Sequence, residues 1–262
     1  MSLTGEERKK VILEQVNTNG KVKADDLANQ LQVSTETIRK YLIELEAQHK
    51  LKKVYGGAVK ASLEKEELPF NLREISNISE KQKIGIEASK IVEDNDTIIL
   101  DEGSTTFKMV EYIICKKNLT ILTCSLPIVS ILCDLQVKEM FDGNIVLIGG
   151  AVNARHVRVS GVVAEEFMNS FYASKAFIST EGVSIAGGVT SYDADKALLS
   201  KRLVQNAQYK YVLCDHTKLG VRTFYKICDI RELTGIICND GPNEQWSEYI
   251  KNHNVSWISP KR

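Results

Sequence analysis

The chain has 262 residues, 43% of them hydrophobic and 26% charged, which allows one large or two smaller domains with buried cores and excludes gross disorder. No run approaches the ~20 apolar residues that cross a bilayer. The opening MSLTGEERKK has no apolar signal core, so a cytoplasmic protein with no membrane partner is expected. The net charge is zero, but residues 1–60 carry 11 Lys and Arg against 8 Asp and Glu, and the other 202 carry 23 against 26. A basic end on a mildly acidic body points to a local polyanion partner.

Residues 6–17 read as a helix with Val11, Ile12 and Val16 on one face, ending at the Asn19-Gly20 turn. A second helix over 24–31 opens with Asp25 and Asp26, whose charges suit a helix N-terminus, and buries Leu27 and Leu31. A third begins after Val33 with Ser34 as N-cap, and Ile38, Leu42 and Leu45 form its buried stripe. Residues 51–54 and 55–59 then make a small two-stranded wing. Residues 61–78 (ASLEKEELPFNLREISNI) are charged, weakly periodic and contain a proline, so they read as a connector with at most one helical turn. Ser79 and Gln82 have the spacing of a capping box that starts a helix through EKQKIGIEASKIV.

Beyond that point β-rich apolar runs occur at 97–100, 119–123, 144–149, 175–180, 209–214, 234–238 and 255–259. Amphipathic stretches at 105–116, 127–139, 162–171, 194–207 and 243–253 separate most of them. Such alternation, with several strands apolar throughout, predicts an α/β domain whose largely parallel sheet is covered on both faces. The expected organisation is a small helical domain with a wing over 1–60, a linker over 61–78 and a larger α/β domain over 79–262.

Cys115, Cys124, Cys133, Cys214, Cys228 and Cys238 form no C-x-x-C pair and read as buried, reduced thiols. His49, His156, His216 and His253 are scattered. No metal site and no cofactor are expected.

The third helix and wing carry the polyanion argument. A helix-turn-helix lays its second helix in the major groove with its early residues toward base edges. Ser34, Thr35 and Thr37 are short enough for close approach, and Arg39 and Lys40 can reach guanine or phosphate. Tyr41 either touches a phosphate or packs. Lys50, Lys52 and Lys53 would lie along the sugar-phosphate backbone. A solvated charged face is the bland alternative for any one of these residues, but order, spacing and wing agree on DNA.

The segment ERKKVILEQVNTNGKV…DLANQLQVSTETIRKYLIELEAQ…LKKVYGGAV resembles the winged helix-turn-helix of bacterial DeoR-type regulators of sugar metabolism. Val33, Ser34, Thr37, Ile38, Arg39, Leu42, Leu45, Gly56, Gly57 and Ala58 match that family's pattern. Lys40-Tyr41 replaces the usual Arg-Asp, which bears on the DNA that is read, and the usual glycine before the wing is missing around His49-Lys50.

In the second domain, the run LDEGSTTFKMV takes a buried strand through Asp101, Glu102, Gly103, Ser104, Thr105 and Thr106 into a helix. Glycine, hydroxyls and free N–H groups there make either a phosphate cradle or an ordinary helix cap. EKQKIG, DEGSTT, TCSLPI, IGGAV, VSGVVAEE, KAFISTEGVS, GGVT, CDHTKLG and IICND resemble the DeoR-type effector domain, whose fold is similar to ribose-5-phosphate isomerase. The resemblance implies that Gly103, Ser104, Thr105 and Thr106, beside Asp101, hold a phosphate. It also implies that Gly149, Gly150, Glu181 and Gly182 line the same strand-end crevice, and that Asp215 and Lys218 close it. Glu102 departs from a usually small residue and would repel a phosphate unless it points away or bonds a sugar hydroxyl. Ser174 stands where the family has Asp. Arg155, His156 and Arg158 read first as a solvated basic loop, then as a phosphate contact or subunit interface.

The leading expectation is a transcriptional regulator, most simply a repressor of carbohydrate use. It would bind a double-stranded DNA operator as a homo-oligomer and respond to a sugar phosphate. The opposite effector sign fits equally. The rivals are a sugar-phosphate isomerase with a DNA-binding appendage, using Glu181, Asp215 and Lys218, and a DNA-binding protein with an inert body. The regulator is preferred, and no enzyme activity is expected.

Overall fold

The computed structural model describes residues 4–19, 21–47, 50–54, 56–60 and 67–260. The chain divides into two compact units, Met1–Lys65 and Glu66–Arg262. No helix among the described residues is long and apolar enough to cross a membrane.

The first unit runs α1 (Gly5–Asn19), β1 (Lys21–Lys23), α2 (Ala24–Leu31), α3 (Thr35–Ala47), β2 (Leu51–Val54) and β3 (Gly57–Lys60). Its core is the set that the helical spacing singles out: Ile12 and Val16 of α1, Leu27 and Leu31 of α2, and Ile38, Leu42 and Leu45 of α3, closed by Leu51 and Ala58. Gln32 in the left-handed region (φ 51°) ends α2 and makes the turn into α3. Ser34 Oγ accepts the amide of Thr37 at 3.2 Å, capping α3 as expected.

The wing differs from expectation. Its sheet has three strands in the order β1-β3-β2, because Lys21–Lys23 pairs antiparallel with β3. Three residues are too few for an alternation signal. Gly57 is what lets β1 come so close, since a Cβ there would lie 2.0 Å from the Val22 carbonyl oxygen. Tyr55, His49 and residues 61–66 of the expected connector lie outside the described residues, as does the turn at Gly20.

The second unit runs α4 (Phe70–Ile75), α5 (Ile78–Ser89), β4 (Thr97–Leu100), α6 (Ser104–Phe107), α7 (Val110–Ile113), β5 (Thr120–Thr123), α8 (Leu126–Val137) and β6 (Asn144–Leu147). It continues with β7 (Ala151–Asn153), β8 (Arg158–Ser160), α9 (Val162–Met168), β9 (Ala173–Ser179), β10 (Gly182–Ser184), β11 (Gly188–Ser191), α10 (Ala194–Gln205), β12 (Ala207–Cys214), β13 (Tyr225–Cys228), β14 (Gly235–Cys238), α11 (Glu244–Asn252) and β15 (Ser256–Ile258). All seven expected strands lie in one parallel sheet, ordered β15-β14-β12-β9-β4-β5-β6.

Alternation along each strand feeds two cores. Ile99, Ala176, Ile178 and Val212 pack with Ala164, Met168, Leu199 and Leu203 from α9 and α10. Ile98, Leu100, Phe177 and Leu213 pack on the other face with Ile84, Ala88, Val110, Ile113, Ile128 and Leu132 from α5, α7 and α8. Two covered faces explain why the strands read as continuous apolar runs.

Three local expectations are corrected. The Ser79–Gln82 capping box does not form: α5 starts at Ile78 with Asn77 as N-cap in the left-handed region, so Ser79 is already helical. The helix expected over 105–116 is two short helices, α6 and α7, broken at Lys108-Met109 where α5 crosses; a Cβ on Gly85 would sit 2.7 Å from the Lys108 carbonyl oxygen. Cys115 and Cys133 are exposed, while the other four cysteines are buried as expected. The small sheet β10-β11-β13 and the β7-β8 hairpin had no apolar run to announce them.

Gly57→Ala should destabilise the first unit by ~1–3 kcal/mol or more, because overpacking here meets backbone and not a movable side chain. A thermal melt followed by circular dichroism would show a lowered first transition. An unchanged melt would contradict the β1–β3 packing.

Candidate nucleic-acid interface and effector site

On α3 the buried stripe leaves Glu36, Arg39, Lys40 and Ile43 on the exposed side. Thr37 Oγ1 shares a 2.9 Å hydrogen bond with Ser34 Oγ, and Thr35 Oγ1 donates to Asp25 Oδ1 at 3.3 Å. These short side chains shape the start of α3, and the cations stand proud of it. Arg39 Nη1 lies 3.4 Å from Glu36 Oε2, an exposed pair of little energetic weight that other partners can replace. Arg39 and Lys53 line one groove of about 460 Å³ with Ala24, Asp25, Leu42, Val54, Gly56 and Gly57. Tyr41, left open between phosphate contact and packing, is half-buried against the first unit's core, with Lys9 Nζ 5.8 Å from its ring centre. The side chain of Lys52 lies outside the described residues.

In the second unit the candidate residues sit on loops at the C-terminal ends of β4, β6, β9 and β12, where open α/β sheets bind ligands. Gly103 turns the chain at φ 149°, and a Cβ there would meet Ser179 Cβ at 2.6 Å. Ser104 and Thr105 open α6. Thr106 Oγ1 donates to the carbonyls of Asp101 and Gly103 at 2.8 and 2.9 Å, so it holds the loop. Asp101 does the same from beneath. It accepts from the Glu102 amide (2.8 Å), Ser200 Oγ (2.9 Å) and the Ser179 amide (3.3 Å), and burial pushes its pKa up to about 6.

Glu102 turns into a buried charge cluster that local sequence patterns did not reveal. Its carboxylate meets Lys196 Nζ at 2.9 Å, Arg158 Nη1 at 3.1 Å and Arg73 Nη2 at 3.2 Å. Lys196 Nζ also bonds Glu181. Glu67 reaches Arg158 Nη1 at 2.6 Å and Arg73 Nη2 at 3.0 Å. Burial opposes the charge of Glu102, but Lys196, Arg73 and Arg158 hold it well below the usual carboxylate range. Burial and Lys196 act on Glu181 in the same opposed way, with a lowered pKa as the result. For Glu67 burial wins and pushes the pKa up to about 7. Lys196, opposed by burial, is held firmly protonated by Glu102, Glu181 and Glu67.

Glu67, Glu102 and Glu181 are close enough to one another to hold a metal ion. The cation among them is instead the Lys196 ammonium. This also removes Glu181 from the role of a free general base.

The solvated-loop expectation for Arg155, His156 and Arg158 fails for two of the three. Arg158 is 1% exposed and His156 is buried; burial, Arg158 and Arg73 push the imidazole down to about 4. Arg155 is exposed. The β7-β8 hairpin delivers Arg158, and Gly149-Gly150 leads into that hairpin; a Cβ on Gly150 would meet the Ser160 carbonyl oxygen at 2.8 Å. Gly182, likewise, lies against the Val221 carbonyl oxygen. Asp215 caps the turn 216–218 by accepting the Thr217 amide at 2.9 Å, and Lys218 is half-buried. Lys81, buried on α5, donates to the carbonyls of Arg73 and Ser76; burial lowers it to about 8, with Asp215 working in the opposite direction and Lys218 with it. Ser174 is remote from the site: its Oγ bonds Asp96 Oδ1 (2.8 Å) and the Thr97 carbonyl (2.9 Å) at the other end of the strands.

Comparison with known proteins gives a consistent picture. The family model described as the DeoR-like helix-turn-helix domain matches residues 8–64, and that of the DeoR C terminal sensor domain matches residues 76–240. The chain is 31% identical over 235 residues to the uncharacterized HTH-type transcriptional regulator YulB of Bacillus subtilis (strain 168), covering 90% of this chain and 89% of that one. It is 30% identical over 243 residues to the HTH-type transcriptional regulator IolR of the same organism, covering 92% and 94%. It is 32% identical over 250 residues to the lactose phosphotransferase system repressor of Staphylococcus aureus (strain N315), covering 94% and 96%. Among solved structures, ribose 5-phosphate isomerase A of Methanocaldococcus jannaschii aligns over 55% of each chain at 18% identity and a TM-score of 0.40, too slight a likeness to bear on function.

Lys196→Met should cost the second unit about 3–5 kcal/mol at neutral pH, since it leaves buried carboxylates without their shared cation. Glu102 and Glu181 have lowered folded pKa values, so the stability they contribute is present above the usual carboxylate range and lost as pH falls through the folded values. The gap between wild type and variant should therefore be widest near neutrality and close in acid. A denaturant titration at several pH values checks this, and a gap independent of pH would contradict it.

Proposed function

The chain belongs to the DeoR family of helix-turn-helix transcriptional regulators, and from that premise we propose that it represses a carbohydrate-utilisation operon and that a phosphorylated sugar modulates its operator binding. The observation that carries the reading is the exposed side of α3, where Arg39 and Lys40 stand clear of a helix capped by Ser34 and buried along Ile38, Leu42 and Leu45. In this reading Ser34, Thr35 and Thr37 let α3 approach the base edges, Arg39 and Lys40 contact guanine or phosphate, and Lys52 and Lys53 track the backbone. A homo-oligomer in the cytoplasm presents paired α3 helices to repeated half-sites.

The name of the staphylococcal relative supports a sugar-linked signal. Gly103, Ser104 and Thr105 receive the phosphate at the start of α6, with Lys218 as its second ligand, while Asp101 and Thr106 hold the loop in shape. Glu102, Glu181 and Lys196, buried and paired with one another, set the shape of the strand ends beside the sugar. Glu67 gives the site a route to the operator: it is the second residue of the sensing unit and is tied to Arg158 and Arg73. A ligand that rearranges the cluster acts where the chain leaves for the DNA-binding unit.

Arg39→Ala should weaken specific operator binding by roughly 5- to 150-fold, the loss of ~1–3 kcal/mol for a good base contact, without a change in melting temperature. Unchanged affinity would exclude α3 as the reading helix. A sugar phosphate at 100 times its dissociation constant should stabilise the second unit by ~2.7 kcal/mol in a thermal-shift assay. The matching free sugar and inorganic phosphate should not, and Lys218→Ala should abolish the shift. Silence across a broad panel would favour an inert body.

A further inference from the structure

The outward side of α3 contains a residue that the DNA reading has not used. At 100° per residue, Glu36, Arg39, Lys40, Ile43 and Ala47 fall within an arc of roughly 100°, opposite the buried stripe. All five are exposed, and Ile43 lies near the middle of the arc with 52% of its surface open. It stands one turn beyond Arg39, about 6 Å along the axis. A face meant only for water is better served by Lys, Glu or Gln, which are also better helix formers than a β-branched residue. Here an aliphatic side chain is set between two cations, Arg39 and Lys40, which come four and three residues before it. On a helix read as entering the major groove that combination has a counterpart, since the cations meet guanine or phosphate there and the apolar group facing them is the C5-methyl of thymine.

We propose that Ile43 is a specificity-determining residue of the operator interface, covering a thymine methyl in each half-site. The proposal rests on the reading of α3 as the DNA-reading helix. It assigns the recognition of that base pair to apolar contact, with Arg39 and Lys40 setting the register on either side. Ile43→Ala is safe for the fold, because the position is exposed and alanine is the better helix former.

The test uses the full-length protein and duplex DNA enriched by it from a random pool. Each thymine of the best duplex is replaced in turn by deoxyuridine, which pairs identically and lacks only the methyl group. In wild type one position per half-site should lose roughly fourfold in affinity, which is ~0.8 kcal/mol for a buried methyl-sized group. Ile43→Ala should bind thymine and uracil duplexes equally at that position while keeping the uracil effect, if any, elsewhere. The proposal is overturned if no uracil weakens wild-type binding, or if Ile43→Ala retains the full penalty at the sensitive position. A pool from which nothing is enriched would overturn the DNA-binding reading along with it.

Discussion

The Lys196 ammonium is the interaction on which the sensing unit depends. It is 1% exposed and sits among Glu67, Glu102 and Glu181, which reach it from before α4, after β4 and after β9. Desolvating one lysine and three carboxylates is unfavourable by several kcal/mol per ion, and only close pairing offsets it. Arg73 and Arg158 complete that pairing from α4 and β8. The cluster therefore adds little to net stability and much to geometry. Three carboxylates can share three cations in few arrangements, so the loops after β4 and β9 are fixed relative to each other and to the first residues of the unit. A charge cluster of this kind must be satisfied as a whole, so its members hold one another in a single arrangement.

The DNA-binding unit is held by the opposite physics. Its buried core is aliphatic, from Ile12 to Ala58, with no buried charge cluster among the described residues. Tyr41, which departs from the family's usual aspartate, is absorbed into this scaffold beside Lys9, itself paired with Glu44 at 2.6 Å. The departure at Tyr41 thus sits against α1 and leaves Glu36, Arg39, Lys40 and Ile43 on the exposed side of α3.

Much of this was legible because apolar runs and helical spacing are local signals. The seven strands of the parallel sheet, the stripe Ile38, Leu42 and Leu45, and the Ser34 cap are all carried by residues within a few positions of one another. The charge cluster was not. Glu67 and Arg158 are 91 positions apart, and both stand in stretches whose polarity reads as solvated surface. Glu102 looked like an obstacle to phosphate for the same reason: nothing nearby in sequence announces Lys196. Only the fold, by bringing the ends of β4 and β9 together over the start of α10, turns these charges from surface decoration into a buried network.

The central claim is that a phosphorylated sugar controls DNA binding, and fluorescence anisotropy tests it most directly. Full-length protein would be held on its enriched duplex while sugar phosphates, free sugars and inorganic phosphate are titrated in. The account predicts that one sugar phosphate changes the duplex affinity by roughly 5- to 150-fold, a coupling of ~1–3 kcal/mol, and that the matching free sugar and inorganic phosphate leave it unchanged. A duplex affinity that stays constant with every phosphorylated sugar, at concentrations that visibly stabilise the sensing unit, would contradict it.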